Sequence, residues 1–246
     1  MAARALNLPA DLARLVRAAS TTERRSTVCP TGITEVDSLL PDGGIPRGAV
    51  TERCAPKGLG FSTSLALAAC ASIQHAGRAQ HGDATWCAFL DPSGSLHGPG
   101  AATIGLELGR LLVVRPSLEA LTRIAVRIAT SKAFGALVID TAGVPGARMA
   151  GSLAPWSTVV RRLAMTLENR DRVILLLTEQ EASRPLPLPV AMRVELAQPE
   201  PGKLSLKVAK ERHGRVVSAP IERDAPRTKH EVRAALARMA ERGGER

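Results

Sequence analysis

Two short runs constrain this chain more than any other feature. Residues 136–140 read Ala-Leu-Val-Ile-Asp, and residues 172–178 read Arg-Val-Ile-Leu-Leu-Leu-Thr. Their apolar stretches, 136–139 and 173–177, are unbroken yet too short for a buried helix. Each therefore reads as a strand with both faces covered. Helix-like stretches alternate with them. Residues 62–74 have strong helical composition, with Gly77 as a stop. Residues 117–132 carry Ser117 at the N-cap and Glu119 in the first turn, and residues 155–168 form another helix. Further strands fall at 49–54, 85–91 and 111–114, and a short helix at 33–40 is stopped by Pro41-Asp42-Gly43-Gly44. Strands alternating with helices imply an α/β fold: a mostly parallel sheet with helices on both faces. After residue 184 the pattern changes. Three runs at 190–197, 203–210 and 214–221 are joined by short turns and predict an antiparallel C-terminal extension of the same sheet.

The ends of the chain read differently from its middle. Residues 1–31 form an N-terminal helix and linker: Leu12, Leu15 and Val16 share one face of a helix over 9–19, and 20–31 is polar. Residues 32–222 form the core domain. Residues 223–246 form a basic tail, with Val232, Leu236 and Met239 as the apolar stripe of a helix at 229–242 flanked by Lys229, Arg233, Arg238 and Arg242. Each terminal helix has two readings, packing on its own core or serving as a handle for a partner.

Composition narrows the function. The 246 residues carry 33 Lys and Arg against 23 Asp and Glu, a formal net charge of +10 that suits polyanionic or acidic partners. Aromatic residues make up only 2% of the chain, with no Tyr, which excludes an aromatic platform for stacking successive bases. The four cysteines, at 29, 54, 70 and 87, have no metal-ligand spacing and read as reduced, buried residues. His75 and His81 are isolated, so no metal site is expected. No run approaches the ~18 apolar residues that a membrane span needs. The expectation is a cytoplasmic protein, nucleoid-associated, with no membrane contact.

A strand, a glycine turn, a helix and a later strand ending in Asp is the layout of a phosphate-loop NTPase. The window that should hold the loop is Ala55-Pro56-Lys57-Gly58-Leu59-Gly60-Phe61-Ser62. Against G-x-x-x-x-G-K-[ST], the first glycine is Ala55 and the lysine is Phe61, while Gly60 and Ser62 survive. Phe61 offers no charge, and its ring is expected to occupy the phosphate volume. Lys57, inside the loop, is an alternative cation; its other reading is a solvated loop lysine.

Several pieces come in a specific order. Thr31-Gly32 opens a helix, Asp42-Gly43-Gly44-Ile45-Pro46-Arg47-Gly48 precedes the first strand, and CAFLD (87–91), LVID (137–140) and LLLTEQ (175–180) follow. Over roughly residues 31–221 this order resembles the RecA recombinase core. The resemblance implies a magnesium-associated carboxylate at Asp140 and a nucleotide-sensing glutamine at Gln180. It also implies a water-orienting glutamate where this chain has Ser93. The two DNA-facing loops of that core correspond to 141–154 and 181–189, which here lack a basic character and read as plain connections. Lys207, Lys210 and Arg212 fall where the core has basic residues reaching across the subunit joint; their alternative reading is a solvated strand face. A RecA-like core without the lysine and glutamate is similar to the ImuA family of the damage-induced mutagenesis cassette. That resemblance implies a non-enzymatic pseudo-ATPase with no cofactor, partnered with an ImuB-type polymerase homologue and, through it, an error-prone replicative-type polymerase. Docking on or inhibition of RecA filaments, and contact with single-stranded DNA, are further expectations. Two alternatives stay open: a DNA-stimulated ATPase using a deviant loop, and a nonspecific DNA-binding protein.

Overall fold

The computed structural model describes residues 28–56, 61–142, 153–167, 171–180, 188–197, 203–214 and 221–224. In chain order the elements are β1 (Val28–Cys29), α1 (Thr34–Asp37), β2 (Ile45–Pro46), β3 (Ala49–Ala55), α2 (Phe61–His81), β4 (Cys87–Leu90), α3 (Gly98–Thr103), β5 (Leu111–Val114), α4 (Leu118–Ser131), β6 (Ala136–Asp140), α5 (Leu153–Leu167), β7 (Val173–Glu179), β8 (Met192–Ala197), β9 (Lys203–Glu211) and β10 (Ile221–Asp224).

Eight strands form one sheet in the order β10-β9-β8-β3-β7-β6-β4-β5. The apolar runs of β6 and β7 sit at its centre, as continuous apolar strands must. Their alternate residues feed two cores. Val138, Leu175 and Leu177 pack with α2, whereas Leu137, Ile139, Ile174 and Leu176 pack with α4 and α5. β1 and β2 form a separate antiparallel pair over the α2 side. The extension turns later than the sequence suggests. β8 still runs parallel to β3, and the antiparallel pairings are β8 with β9 and β9 with β10. The last described strand lies at 221–224, and residues 212–214 turn after β9; 215–220, within the strand expected at 214–221, lie outside the described residues.

Gly77 does not stop α2, which runs through it to His81. Thr85 crosses the helix there. A Cβ on Gly77 would lie 2.0 Å from Thr85 Oγ1 and 2.9 Å from its backbone nitrogen. The glycine answers a close approach, and the chain turns instead at Gly82, with φ +76°. Gly44 has the same kind of reason: a Cβ would stand 2.6 Å from the Cys29 carbonyl oxygen. The helix expected at 33–40 shortens to α1, where Asp37 accepts bonds from the Thr31 N–H and hydroxyl at 2.7 Å each and closes the turn onto itself. Ser117 precedes α4 in extended conformation, but its hydroxyl makes no capping bond; its carbonyl accepts from the Ala120 N–H. All four cysteines are buried free thiols. No described helix is long and apolar enough to cross a membrane. The helices expected at 9–19 and 229–242 lie outside the described residues.

Candidate functional site

In the parallel part of the sheet, the C-terminal ends of β3, β4, β6 and β7 open on one edge. Open α/β sheets bind ligands at such an edge. β3 ends at the buried Ala55, and Pro56 is exposed. Lys57, Gly58 and Gly60 lie outside the described residues. The Gln180 N–H donates to the Ala55 carbonyl at 2.8 Å, which ties the loop entry to the end of β7; Gln180 itself is exposed.

α2 starts at Phe61. The Phe61 ring is half-buried and packs against the α2-side core, so apolar burial pulls it toward the sheet. Its effect on the site is the missing cation. Ser62 is buried, and its hydroxyl has no hydrogen-bond partner among the described residues. Thr63 hydrogen-bonds the Asp140 carboxylate. The sequence reading missed Thr63 because the loop window closes one residue before it.

Asp140 ends β6 and is buried. Its Oδ1 accepts from the Ala142 N–H at 3.0 Å. Burial pushes its carboxyl up to about 6, and the neighbouring Asp91 charge adds to the rise; the Ala142 and Thr63 bonds oppose it only in part. Asp91, just past β4, is fully buried and serves its own loop. Its Oδ1 accepts from Ser95 N–H at 2.9 Å and from the Ser93 hydroxyl at 3.2 Å, and its Oδ2 accepts from Leu96 N–H at 3.1 Å. Arg115 approaches that same Oδ2 at 3.4 Å. Ser93 therefore sits in the glutamate's place as a hydroxyl that braces a turn. Among the described residues, position 61 offers no cation and position 93 no carboxylate.

The late cations are engaged within the fold. A register shift between Arg193 and Val194 pairs Lys210 with Arg193, after Val208 has paired with Val194. Lys210 Nζ donates to the Leu188 carbonyl at 3.0 Å, Lys207 lies 3.9 Å from Glu195, and Arg212 contacts His213 in the turn after β9. Leu12, Leu15, Val16, Arg233, Leu236 and Arg238 lie outside the described residues.

A buried charge cluster escaped the sequence reading. Glu52 on β3 accepts from Arg193 Nε at 2.8 Å and Nη2 at 2.7 Å on one oxygen, and from the Thr178 hydroxyl at 2.9 Å on the other. It fastens β8 and β7 to β3 under the site. On the opposite face of β3, burial pulls the Arg53 guanidinium down to about 10, and the Asp37 charge partly restores it. Thr178 and Arg193, the partners of Glu52, lie more than a hundred residues away, so nothing near Glu52 in the sequence announces its burial.

Residues 12–170 match the RecA N-terminal domain. The mitochondrial DNA repair protein recA homolog of Dictyostelium discoideum is 30% identical over 164 residues, covering 62% of this chain and 34% of that protein. Protein RecA of Kineococcus radiotolerans is 36% identical over 129 residues, covering 51% of this chain and 35% of that protein. The chain thus spans about a third of the length of these curated relatives. The crystal structure of the RadB recombinase superposes with a TM-score of 0.65 at 18% identity, over 82% of this chain and 97% of that one, and shares its fold. With a RecA N-terminal domain matched over more than half of its residues, and the parallel sheet ordered around the edge just described, the chain belongs to the RecA family.

Proposed function

We propose that this RecA-family chain is a non-enzymatic adaptor in DNA-damage-induced mutagenic translesion synthesis, of the ImuA kind. Its partners in this reading are an ImuB-type polymerase homologue, an error-prone replicative-type polymerase reached through it, and the RecA filament. The observation that carries the reading is the fate of the two catalytic positions. Phe61 is folded against the core, and the Ser93 hydroxyl braces the Asp91 turn. Phosphoryl transfer rests on positioned charge, and neither residue can supply it. The sheet meanwhile keeps an open edge. β5 pairs only with β4 among the described strands, and Leu112 and Val113 on it are exposed, which supports docking on another subunit.

The test is ATP titration of the purified protein, with and without single-stranded DNA, beside Phe61→Lys. The adaptor reading expects no saturable binding by the wild type, and co-purification with the polymerase homologue. It also expects RecA filament growth to change when this protein is in several-fold excess. Saturable, magnesium-dependent binding would refute it. A second reading, a DNA-stimulated ATPase using Lys57, is favoured by the buried Ser62 hydroxyl and by the retained Asp140. The same titration decides between them. A plain nonspecific DNA-binding protein would show no protein partner at all.

A further inference from the structure

Three of the four cysteines meet in one core. Cys29 on β1, Cys70 on α2 and Cys87 at the start of β4 all belong to the α2-side cluster, and each is at most 1% exposed. Cys70 and Cys87 are in direct contact. The Cys87 thiol faces the Cys70 carbonyl oxygen at 3.7 Å, and a hydrogen bond joins the two thiols. Cys29 stands beside this pair, close enough for its charge to be felt at Cys70, but its thiol donates to the Pro30 carbonyl at 3.4 Å. Cys54 lies on the other face of β3, where Thr178 bonds it.

The same core holds a cation. Arg53 is buried, its Nε and Nη1 have no hydrogen-bond partner among the described residues, and its charge reaches both Cys70 and Cys29. A guanidinium beside a thiol favours the thiolate, the form that attacks a disulfide. The closed core works the other way. The Cys87 hydrogen bond and burial hold the Cys70 thiol well above its ordinary range, and Arg53 opposes them only in part. The closed fold therefore keeps the pair inert, and reaction runs through local opening. Opening admits water and lifts the desolvation, whereas the Arg53 charge stays with β3.

We propose that Cys70 and Cys87 form a reversible redox site, which closes to a disulfide by exchange with a low-molecular-weight disulfide and reopens in excess thiol. In the first step the Cys70 thiolate attacks one sulfur of the small disulfide. The S–S bond there breaks, a new one forms to Cys70, and one small thiolate leaves. The Cys87 thiolate then attacks the Cys70 sulfur and expels the second small thiolate. Two protein thiols are oxidised, one small disulfide is reduced to two thiols, and the protons lost by the cysteines end on those thiols. Closure turns two short side chains that already touch. The bond ties α2 to β4. α2 carries Phe61, Ser62 and Thr63 in its first turn, and β4 leads into Asp91 and Ser93. The staple therefore joins two of the elements that bring site residues to the sheet edge. It needs neither an adaptor nor an ATPase, so failure of either leaves it standing.

The test incubates the full, folded chain with oxidised glutathione at about pH 8, near the ordinary thiol pKa. Free thiols are then blocked with iodoacetamide, and the digest is mapped by mass spectrometry. The expected product is a cross-linked Cys70–Cys87 peptide pair, lighter by two hydrogen atoms, that dithiothreitol removes. Cys29→Ala and Cys54→Ala should keep it, and Cys87→Ala should leave Cys70 as the mixed disulfide with glutathione. The wild-type map decides by itself should a variant fail to fold. Oxidised wild type should also unfold at a urea midpoint higher than reduced protein by about 1 M, because the bond closes a short loop. Four outcomes overturn the proposal: no cross-link in the folded chain, a cross-link through Cys29 or Cys54 in its place, a cross-link that forms only once urea has unfolded the chain, or an oxidised midpoint no higher than the reduced one. The third would mean that contact in the fold is not what brings the two sulfurs together.

Discussion

Asp140 sits in the fold at a cost that can be measured. Its carboxyl is buried at the end of β6 and titrates at about 6 in the folded chain, against an ordinary 3.8. The unfolded chain therefore releases this proton more readily than the folded one. Stability contributed by the protonated form is intact below the unfolded value and is lost as pH rises through the folded one. Raising the carboxyl from 3.8 to about 6 corresponds to about 3 kcal/mol. Asp140→Asn keeps an oxygen to accept from the Ala142 N–H and cannot ionise. It should stabilise the protein by about 3 kcal/mol at pH near 7.5, by about half that near pH 5, and by less than about 1 kcal/mol near pH 4. Urea unfolding of both proteins at these three pH values reads the difference as a change in midpoint at constant slope. A thermal scan should show a rise of about 6–12 °C at neutral pH for a chain of this size. A gain independent of pH, or a loss at neutral pH, would refute the claim that an uncompensated carboxylate stands here. The expected gain also bears on function, because a residue that costs stability at neutral pH is kept for something other than the fold.

The other predictions concern the frame around the site. Gly77→Ala improves helix propensity by about 1 kcal/mol, yet should destabilise by about 1–3 kcal/mol, because the new methyl meets Thr85. Combined with Thr85→Ala, which removes the Oγ1 contact but leaves the backbone nitrogen and Cβ in place, part of that loss should return in a double-mutant cycle read by urea unfolding; no coupling would remove the hydroxyl contact as a reason for the glycine. Arg193→Met leaves Glu52 buried and unpaired and should cost about 3–5 kcal/mol, whereas Glu52→Leu/Arg193→Met should come close to wild type. Equal costs for the single and double variants would mean that β8 is held by something else. Phe61→Lys exchanges an apolar contact with the core for a cation beside Asp140, and should lower the Asp140 pKa along with some stability. Carboxyl titration followed by NMR checks the direction, and an unchanged value would mean that the lysine does not reach the site.

Much of the architecture could be read from local chemistry. The apolar runs of β6 and β7 have no stable place except the middle of a covered sheet, and that is where they pair. The loop window around Ala55, the terminal Asp140 and the substitutions at Phe61 and Ser93 were all legible, because a motif is a matter of spacing along the chain. Other features depend on residues far apart in sequence. Gly77 read as a stop because nothing nearby announces Thr85 crossing the helix. Glu52 read as an ordinary strand residue because Arg193 lies 141 positions away. The direction of β8 is set by its pairing with β3, not by its own residues, which would suit either direction. Phe61 is the clearest case. Its identity removes the cation from the site and follows from sequence alone, but its position depends on how much apolar surface the neighbouring core offers. Local chemistry determines which groups are present and how they repeat. Which of them meet, and which are forced to share a buried space, is decided only when the sheet closes and charges distant in sequence lose their water together.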